Sequence, residues 1–289
     1  MQKRITTVFL LLFSVYLQAQ TPISGVINTY LQVDSVDVCL NKIYAPSTAG
    51  LAVGDKILLI QMKGADINLT NTASFGNINS YNNAGNYEFG TVAALTATTI
   101  SLENTLVRTY TNGAALQVVK VPVYDNVNIN AELTAAEWNG TIGGILVFEA
   151  NQVNFNANID VSGKGFLGGN AGNFPESCPT GTATTAYFSD TLSGKGGEKG
   201  EGIAILTNTY LACRGKAANG GGGGNDHNAG AGGGANGGAG GIGGENDESV
   251  FSCPGNEGFA GVSMDNTALT NKLFLGAGGG AGHGNNTNG

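Results

Sequence analysis

The sequence of 289 residues predicts an all-β protein, in which a small β-barrel or sandwich precedes a β-solenoid-like region with glycine-rich, polyproline II-like segments. Two observations predict this fold class. The apolar runs of the first half are short and broken by turn residues, as in proteins built from short strands. Glycine is unevenly distributed, with 11 of the 48 glycines in residues 1–160 and 37 in residues 161–289.

The first segment, residues 1–19, has the features of a secretory signal peptide. Lys3 and Arg4 precede the apolar run Ile5–Leu17, and Ala19 supplies a small residue at the expected cleavage site before Gln20. The run is shorter than the roughly 20 residues that a membrane-spanning helix needs. We therefore expect an exported protein, secreted or held at the outer cell surface, with no transmembrane span.

Residues 20–125 are predicted to form the β-barrel or sandwich domain. The run Lys56–Met62 has the length of a strand, and Asn112-Gly113 is a tight-turn dipeptide before another apolar run that ends at Pro122. Between them, Asp66–Gly85 is rich in Asn, Ser and Thr. We interpret this stretch as an exposed excursion from the domain.

Residues 126–169 are predicted to form solenoid-like coils. Strand-like triplets, each with a polar residue between two apolar ones, recur between Asn and Gly residues, as in Val127–Ile129, Val153–Phe155 and Ile159–Val161. In a parallel solenoid each coil stacks its apolar positions on the coil below, and Asn or Gly takes the corners. An antiparallel meander is the alternative.

Residues 170–289 are predicted to form a packed glycine-rich region. In residues 215–244, 16 of 30 positions are Gly, and Asn236–Gly244 consists of three triplets with two glycines each. Three residues are one turn of a polyproline II helix, so two bare faces would let several such segments pack side by side. A flexible linker is the alternative. Large apolar side chains such as Leu206 and Phe274 favour ordered packing over a flexible linker. Because the sequence stops inside a glycine run, we also expect the chain to continue beyond Gly289.

Charge and cysteine content limit the partners. The net charge is −8, with 13 basic against 21 acidic residues, which excludes nucleic acid as a partner because phosphate binding needs clustered Lys and Arg. Cys178 and Cys253 both stand in Ser-Cys-Pro, and an exported protein meets an oxidising environment. We predict that these two form a disulfide; pairing with other cysteines, or free thiols, are the alternatives.

Four segments together resemble a known class of proteins: GDKILLIQMKGA (54–65), GKGGEKGEGIA (194–204), RGKAANGGGGGNDHNAGAGGG (214–234) and LFLGAGGGAGHGNN (273–286). They are similar to the N-terminal region of large glycine-rich surface proteins of gliding and related Gram-negative bacteria that use type IX secretion. The resemblance spans residues 50–289. It implies an extracellular, adhesin-like role.

Two histidines and a carboxylate in glycine-rich sequence are the candidate metal ligands: Asp226, His227 and His283. The alternative is that these side chains satisfy backbone groups of the glycine segments. No cofactor is predicted, although Gly221–Asp226 fits the start of a calcium-binding GGxGxD repeat, so calcium is the ion we consider. A calcium-stabilised repeat module is therefore one alternative function.

Aromatic and amide side chains in the 66–87 excursion are the candidate ligand-binding residues, represented by Phe75, Tyr81 and Tyr87. Rings and amides are the groups that contact sugar rings and hydroxyls. We predict a non-catalytic, adhesin-like surface protein with an extracellular surface or polysaccharide as partner. The alternative is a polysaccharide-active solenoid enzyme that uses Glu198 and Glu201.

Overall fold

The computed structural model describes residues 20–170, 172–173, 185–226, 228–245, 255–264 and 266–284. It confirms the all-β prediction, because these residues form fourteen strands and one six-residue helix. The strands are β1 (Thr21–Val26), β2 (Tyr30–Val33), β3 (Ser35–Asp37), β4 (Lys42–Tyr44), β5 (Lys56–Gln61), β6 (Asp66–Ile67), β7 (Ile78–Ser80), β8 (Tyr87–Leu95), β9 (Thr99–Leu102), β10 (Leu116–Val121), β11 (Val123–Thr134), β12 (Glu149–Phe155), β13 (Gly172–Asn173) and β14 (His283–Gly284); the helix is α1 (Asn266–Asn271).

Three parallel strands form the solenoid-like part, in the order β1-β11-β12. From β11 to β12 one coil takes 26 residues, so that Asn154 Nδ2 donates to Asn128 Oδ1 at 3.0 Å and Asn156 Nδ2 donates to Asn130 Oδ1 at 3.0 Å. Apolar side chains stack inside, chiefly Ile23, Val127, Ile129 and Leu133. The parallel pairing confirms the solenoid prediction and excludes the antiparallel meander.

The first coil is separated from the second by a large insertion. β1 pairs in parallel with β11, Thr21 opposite Val127, although the two strands lie far apart in the sequence. The chain between them leaves the solenoid and forms the seven-stranded sheet β2-β10-β5-β8-β9-β4-β3. This sheet does not close into a barrel, because its edge strands β2 and β3 do not pair with each other.

The sequence of the interior strand β5 is apolar without alternation because both of its faces are covered. Ile57 and Leu59 face one cluster formed within the sheet, whereas Leu58 and Ile60 face another cluster. That second cluster includes Trp138 of the solenoid-like part, Ile203 and Leu275 of the glycine-rich half, and β5 is buried on both faces. A strand covered on both sides has an apolar run instead of the period of two.

The glycine-rich half is a lattice of extended segments joined by backbone hydrogen bonds, and not a linker. Gly221 N donates to Gly278 O at 3.0 Å, Gly232 N to Gly222 O at 2.8 Å, and Gly280 N to Gly232 O at 2.9 Å. Each segment therefore bonds to segments that lie far away in the sequence. In this way the backbone groups of the region are satisfied without wide sheets.

Close approach, rather than backbone conformation, is the reason for glycine in this lattice. None of the described glycines from 196 to 282 has the positive φ that favours glycine. A Cβ atom on Gly223 would instead overlap the carbonyl oxygen of Gly197, and one on Gly261 would overlap that of Asn219. Any side chain at these positions would force the segments apart.

Two apolar segments of the glycine-rich half lie outside the strands. Residues 202–206 and 272–275 contain no named strand, and Asn208–Tyr210 forms a 3₁₀ turn. Each segment nevertheless contributes core residues, since Ile203 is fully buried and Phe274 nearly so, whereas Ile205 and Leu273 are exposed. Helix α1 has no counterpart in the sequence analysis.

Several predictions fall on residues outside the described ranges and stay predictions. These are the signal peptide of residues 1–19 and the pair Cys178 and Cys253. Cys39, which is exposed, and Cys213, which is buried, have free thiols. Within the described part of the chain, no helix has the length and apolar character needed to span a membrane.

Candidate functional site

A polar groove of about 620 Å³ lies between the 66–87 excursion and the glycine-rich half. One wall is formed by β7 and its flanking residues, and the other by a short extended segment. The lining residues are Asn77, Ile78, Asn79, Ser80 and Tyr81 on the first wall, and Val262, Ser263 and Met264 on the second. The volume falls in the range of small-ligand sites.

The first wall is held by a short hairpin. β6 pairs antiparallel with β7, and within the loop Gly76 N donates to Asn68 O at 2.8 Å. The Asn68 side chain accepts a bond from Thr70 N at 2.8 Å, an Asx turn that tightens the loop. Asn79 Nδ2 donates to Asp66 Oδ2 at 3.1 Å, so a carboxylate lies next to the lining amides.

Phe75, one of the three predicted ligand-binding aromatics, is fully buried and does not reach the groove. Its ring packs against Phe188 and Tyr210, with centroids 5.4 Å and 5.9 Å away. This corrects its expected role, because the ring fixes the excursion to the glycine-rich half instead of contacting solvent. Polar loop composition had indicated exposure for the whole stretch.

Tyr81 is the predicted aromatic that does line the groove. It is half-buried, and its ring lies 5.8 Å from that of Phe274. The following turn is held by Lys272, whose Nζ donates to Asn82 O at 2.8 Å and to Ala84 O at 2.9 Å. The position of Tyr81 therefore depends on the glycine-rich half as well as on its own loop.

The second wall is also fixed by backbone bonds. Val262 N donates to Ala218 O at 3.0 Å, and Met264 N donates to Asn236 O at 2.7 Å. Met264 is buried while Ser263 between them is exposed, which is the alternation of an extended segment. Ser263 therefore lines the groove as the exposed residue of a segment that is fixed by backbone bonds on both sides. Nothing in the sequence pattern had pointed to Ser263.

Tyr87, the third predicted aromatic, lies outside the groove lining. Its ring packs edge-on against Phe89 with the centroids 6.2 Å apart, and the Arg108 guanidinium lies 5.4 Å from the Tyr87 centroid. The structure thus separates the three aromatics that the sequence analysis had grouped: one in the core, one in the groove and one on β8.

Of the predicted metal ligands, Asp226 and His283 are brought into the same region, and His227 lies outside the described residues. Ala229 connects the two, because its N donates to Asp226 O at 3.0 Å and its O accepts a bond from His283 N at 3.0 Å. Both side chains are buried. Burial raises the pKa of the Asp226 carboxyl to about 6. The described residues contain no group of three or more His, Cys, Asp or Glu arranged to hold a metal.

The carboxylates of the alternative enzyme site are engaged in structural contacts. Glu201 accepts bonds from Lys63 Nζ at 2.5 Å and from Trp138 Nε1 at 2.8 Å. Glu198 Oε2 accepts bonds from the backbone and side-chain nitrogens of Asn170, at 3.1 Å and 2.7 Å. The two carboxylates thus bond to different parts of the chain. Glu201 and its partner Lys63 line a small cavity of about 140 Å³.

Lys199, four residues from the exposed Lys195, is a buried charged side chain. Its Nζ donates to Tyr187 O at 2.7 Å, to Cys213 O at 2.6 Å and to Gly215 O. Burial lowers the pKa of Lys199 to about 7. The three N–H donors of the ammonium group bond to three carbonyl acceptors, so this side chain holds the segments around residues 187 and 213–215 together.

Comparisons with known proteins give only distant structural likeness. No family model matches the sequence, and no curated protein matches it either. Among solved structures, the tailspike protein gp49 from Pseudomonas phage LKA1 is similar over 39% of this chain, with 17% identity and a TM-score of 0.23. The Gp54 tailspike of Acinetobacter baumannii bacteriophage AP22, in complex with capsular saccharide, is similar over 52%, with 11% identity and a TM-score of 0.25. This chain spans 19% and 26% of their respective lengths.

These likenesses correct one prediction. The sequence analysis expected a non-catalytic protein, but the solved structures that this chain is similar to are tailspike proteins, one of them in complex with capsular saccharide, and they give no ground for excluding catalysis. The exclusion of catalysis is therefore withdrawn. The two likenesses do not assign a reaction to this chain.

Proposed function

We propose that this protein binds saccharide in the groove between residues 77–81 and residues 262–264, at the outer surface of the cell that exports it. The groove itself is the observation that carries the proposal. It places amide and hydroxyl side chains, the hydrogen-bonding groups that sugar hydroxyls need, around one half-buried tyrosine. The location follows the signal-peptide prediction and the resemblance to glycine-rich surface proteins.

The supports of the groove favour binding without large rearrangement. Both walls are tied by backbone hydrogen bonds, and Phe274 under Tyr81 belongs to the main core cluster. A preorganised site loses less entropy when it binds a flexible oligosaccharide. Tyrosine suits such a site because its ring gives apolar contact area while its hydroxyl stays hydrated.

A blocking variant tests this proposal. Ser263→Trp should fill the groove from an exposed position and abolish binding on an array of neutral and acidic oligosaccharides that includes bacterial capsular fragments. Ser47→Trp, at an exposed serine in the loop before β5, is the matched control and should bind as the parent does. Binding that survives Ser263→Trp, or a parent that binds no saccharide, would overturn the proposal.

A second pair of variants tests whether the ring of Tyr81 contacts the bound saccharide. Tyr81→Leu should weaken binding of the selected oligosaccharide about tenfold, because a ring contact is worth about 1–1.5 kcal/mol. Tyr87→Leu replaces another half-buried tyrosine outside the groove and should leave the Kd unchanged. Calorimetric titration measures both, and assay of new reducing ends after incubation shows whether binding leads to cleavage. Equal losses in the two variants would contradict the assignment of Tyr81.

A further inference from the structure

The carboxylate of Asp226 has an unusual environment. The residue is fully buried, and neither Oδ1 nor Oδ2 has a hydrogen-bond partner. The other buried charged side chain, Lys199, has three carbonyl partners. Among the buried residues that the structure describes, Asp226 is therefore the carboxylate with no partner on either oxygen. Burial of an unpaired carboxylate is costly, so a buried charge is normally paired or bound to a metal.

The backbone around Asp226 holds the carboxylate in place. Asp226 has φ of 56°, and Asn228 has φ of 60°, a left-handed conformation that only a few residue types adopt readily. Asn225 on the preceding side is fully buried, and its Nδ2 donates to Ala186 O at 2.7 Å. The unpaired carboxylate is thus presented from a left-handed backbone conformation that Asp and Asn adopt more readily than other side-chain-bearing residues.

We propose that Asp226 is a ligand of a bound calcium ion. The ion would neutralise the carboxylate, and backbone carbonyls of the surrounding glycine segments would supply further oxygens. Calcium accepts carbonyl oxygens in flexible geometry, whereas magnesium retains its waters and needs near-octahedral ligands. Zinc and similar metals need several nitrogen or sulfur ligands, and no group of three or more His, Cys, Asp or Glu gathers among the described residues.

This site is independent of the saccharide groove, whose lining residues do not include Asp226. In the motif Gly221–Asp226 the carboxylate follows a run of four glycines, each of which lies against a backbone carbonyl of another segment. A single carboxylate implies weak affinity, in the about 10⁻⁴–10⁻³ M range of extracellular calcium modules.

Thermal unfolding of the full chain tests the site. Calcium chloride, at about ten times its half-saturating concentration, should raise the Tm by about 3 °C relative to EDTA, and magnesium chloride should raise it less. Asp226→Asn should abolish the calcium response. In EDTA this variant should melt above the parent, because a neutral isostere replaces an uncompensated buried charge and Asn tolerates the left-handed backbone.

The control variant is Asp190→Asn, at an exposed aspartate in the same half of the chain, and it should keep the full calcium response. Equal Tm values for the parent in EDTA and in calcium would overturn the proposal and leave Asp226 as an uncompensated acid. A calcium response that persists in Asp226→Asn would also overturn it, by placing the ion elsewhere. The EDTA and calcium comparison on the parent needs no variant to fold.

Discussion

Gly223→Ala should lower the free energy of unfolding by more than about 3 kcal/mol, a large effect for a single methyl group. The new Cβ would overlap the carbonyl oxygen of Gly197, and Gly223 N also donates to Cys213 O at 3.1 Å. Because the obstacle is backbone and not a mobile side chain, the two segments must separate and lose hydrogen bonds. Chemical denaturation of the purified chain measures the change.

Gly241→Ala is the matched control for that prediction. Gly241 is exposed, has no positive φ, and a Cβ atom built on it meets no atom within 4 Å. Alanine there should be neutral, or stabilising by about 0.5 kcal/mol, since it restricts the unfolded chain. If both variants behave alike, the glycines do not pack as a lattice, and the flexible-linker interpretation returns.

Lys199→Met should destabilise the protein by about 3 kcal/mol, which is about 6 °C in Tm for a chain of this size. Methionine replaces the apolar stem but leaves three buried carbonyl groups without their donor, and it removes the charge that lies 4.9 Å from the Phe75 ring centroid. Those carbonyls belong to segments that meet at Lys199. Thermal unfolding gives the difference.

The control is Lys195→Met, at an exposed lysine four residues earlier. Its loss should change the free energy of unfolding by less than about 0.5 kcal/mol, as expected for a surface position. If the Lys199→Met variant is as stable as the Lys195→Met variant, the three carbonyl bonds make no net contribution to the free energy of unfolding. The buried ammonium group would then not stabilise the packing of these segments.

The sequence predicted the fold class because strand length and glycine spacing are local signals. β5 was recognised as a strand from its apolar run. Ordered packing of the glycine-rich half was predicted from large apolar side chains such as Leu206 and Phe274, which a flexible linker does not need. The coil length of 26 residues was missed for a physical reason. The second and third coils are adjacent in the sequence, but the first is separated from them by a whole sheet, so no period repeats often enough to be seen.

The candidate site was only partly predictable. Tyr81 and the neighbouring amides were expected from composition, whereas burial of Phe75 depends on partners such as Phe188 and Tyr210, far away in the sequence. The second wall of the groove contains Ser263, whose position is set by backbone bonds to residues 218 and 236 through Val262 and Met264. Contacts of this kind carry no signal in a single sequence.

The most direct test of the saccharide-binding groove is hydrogen exchange of the full chain with and without the oligosaccharide selected on the array. Two segments far apart in the sequence, 77–81 and 262–264, form the groove, so both should gain protection when the oligosaccharide binds. The segment Tyr87–Leu95 should exchange as before. Protection of only one wall, or protection confined to other parts of the chain, would contradict the assignment of this groove as the binding site.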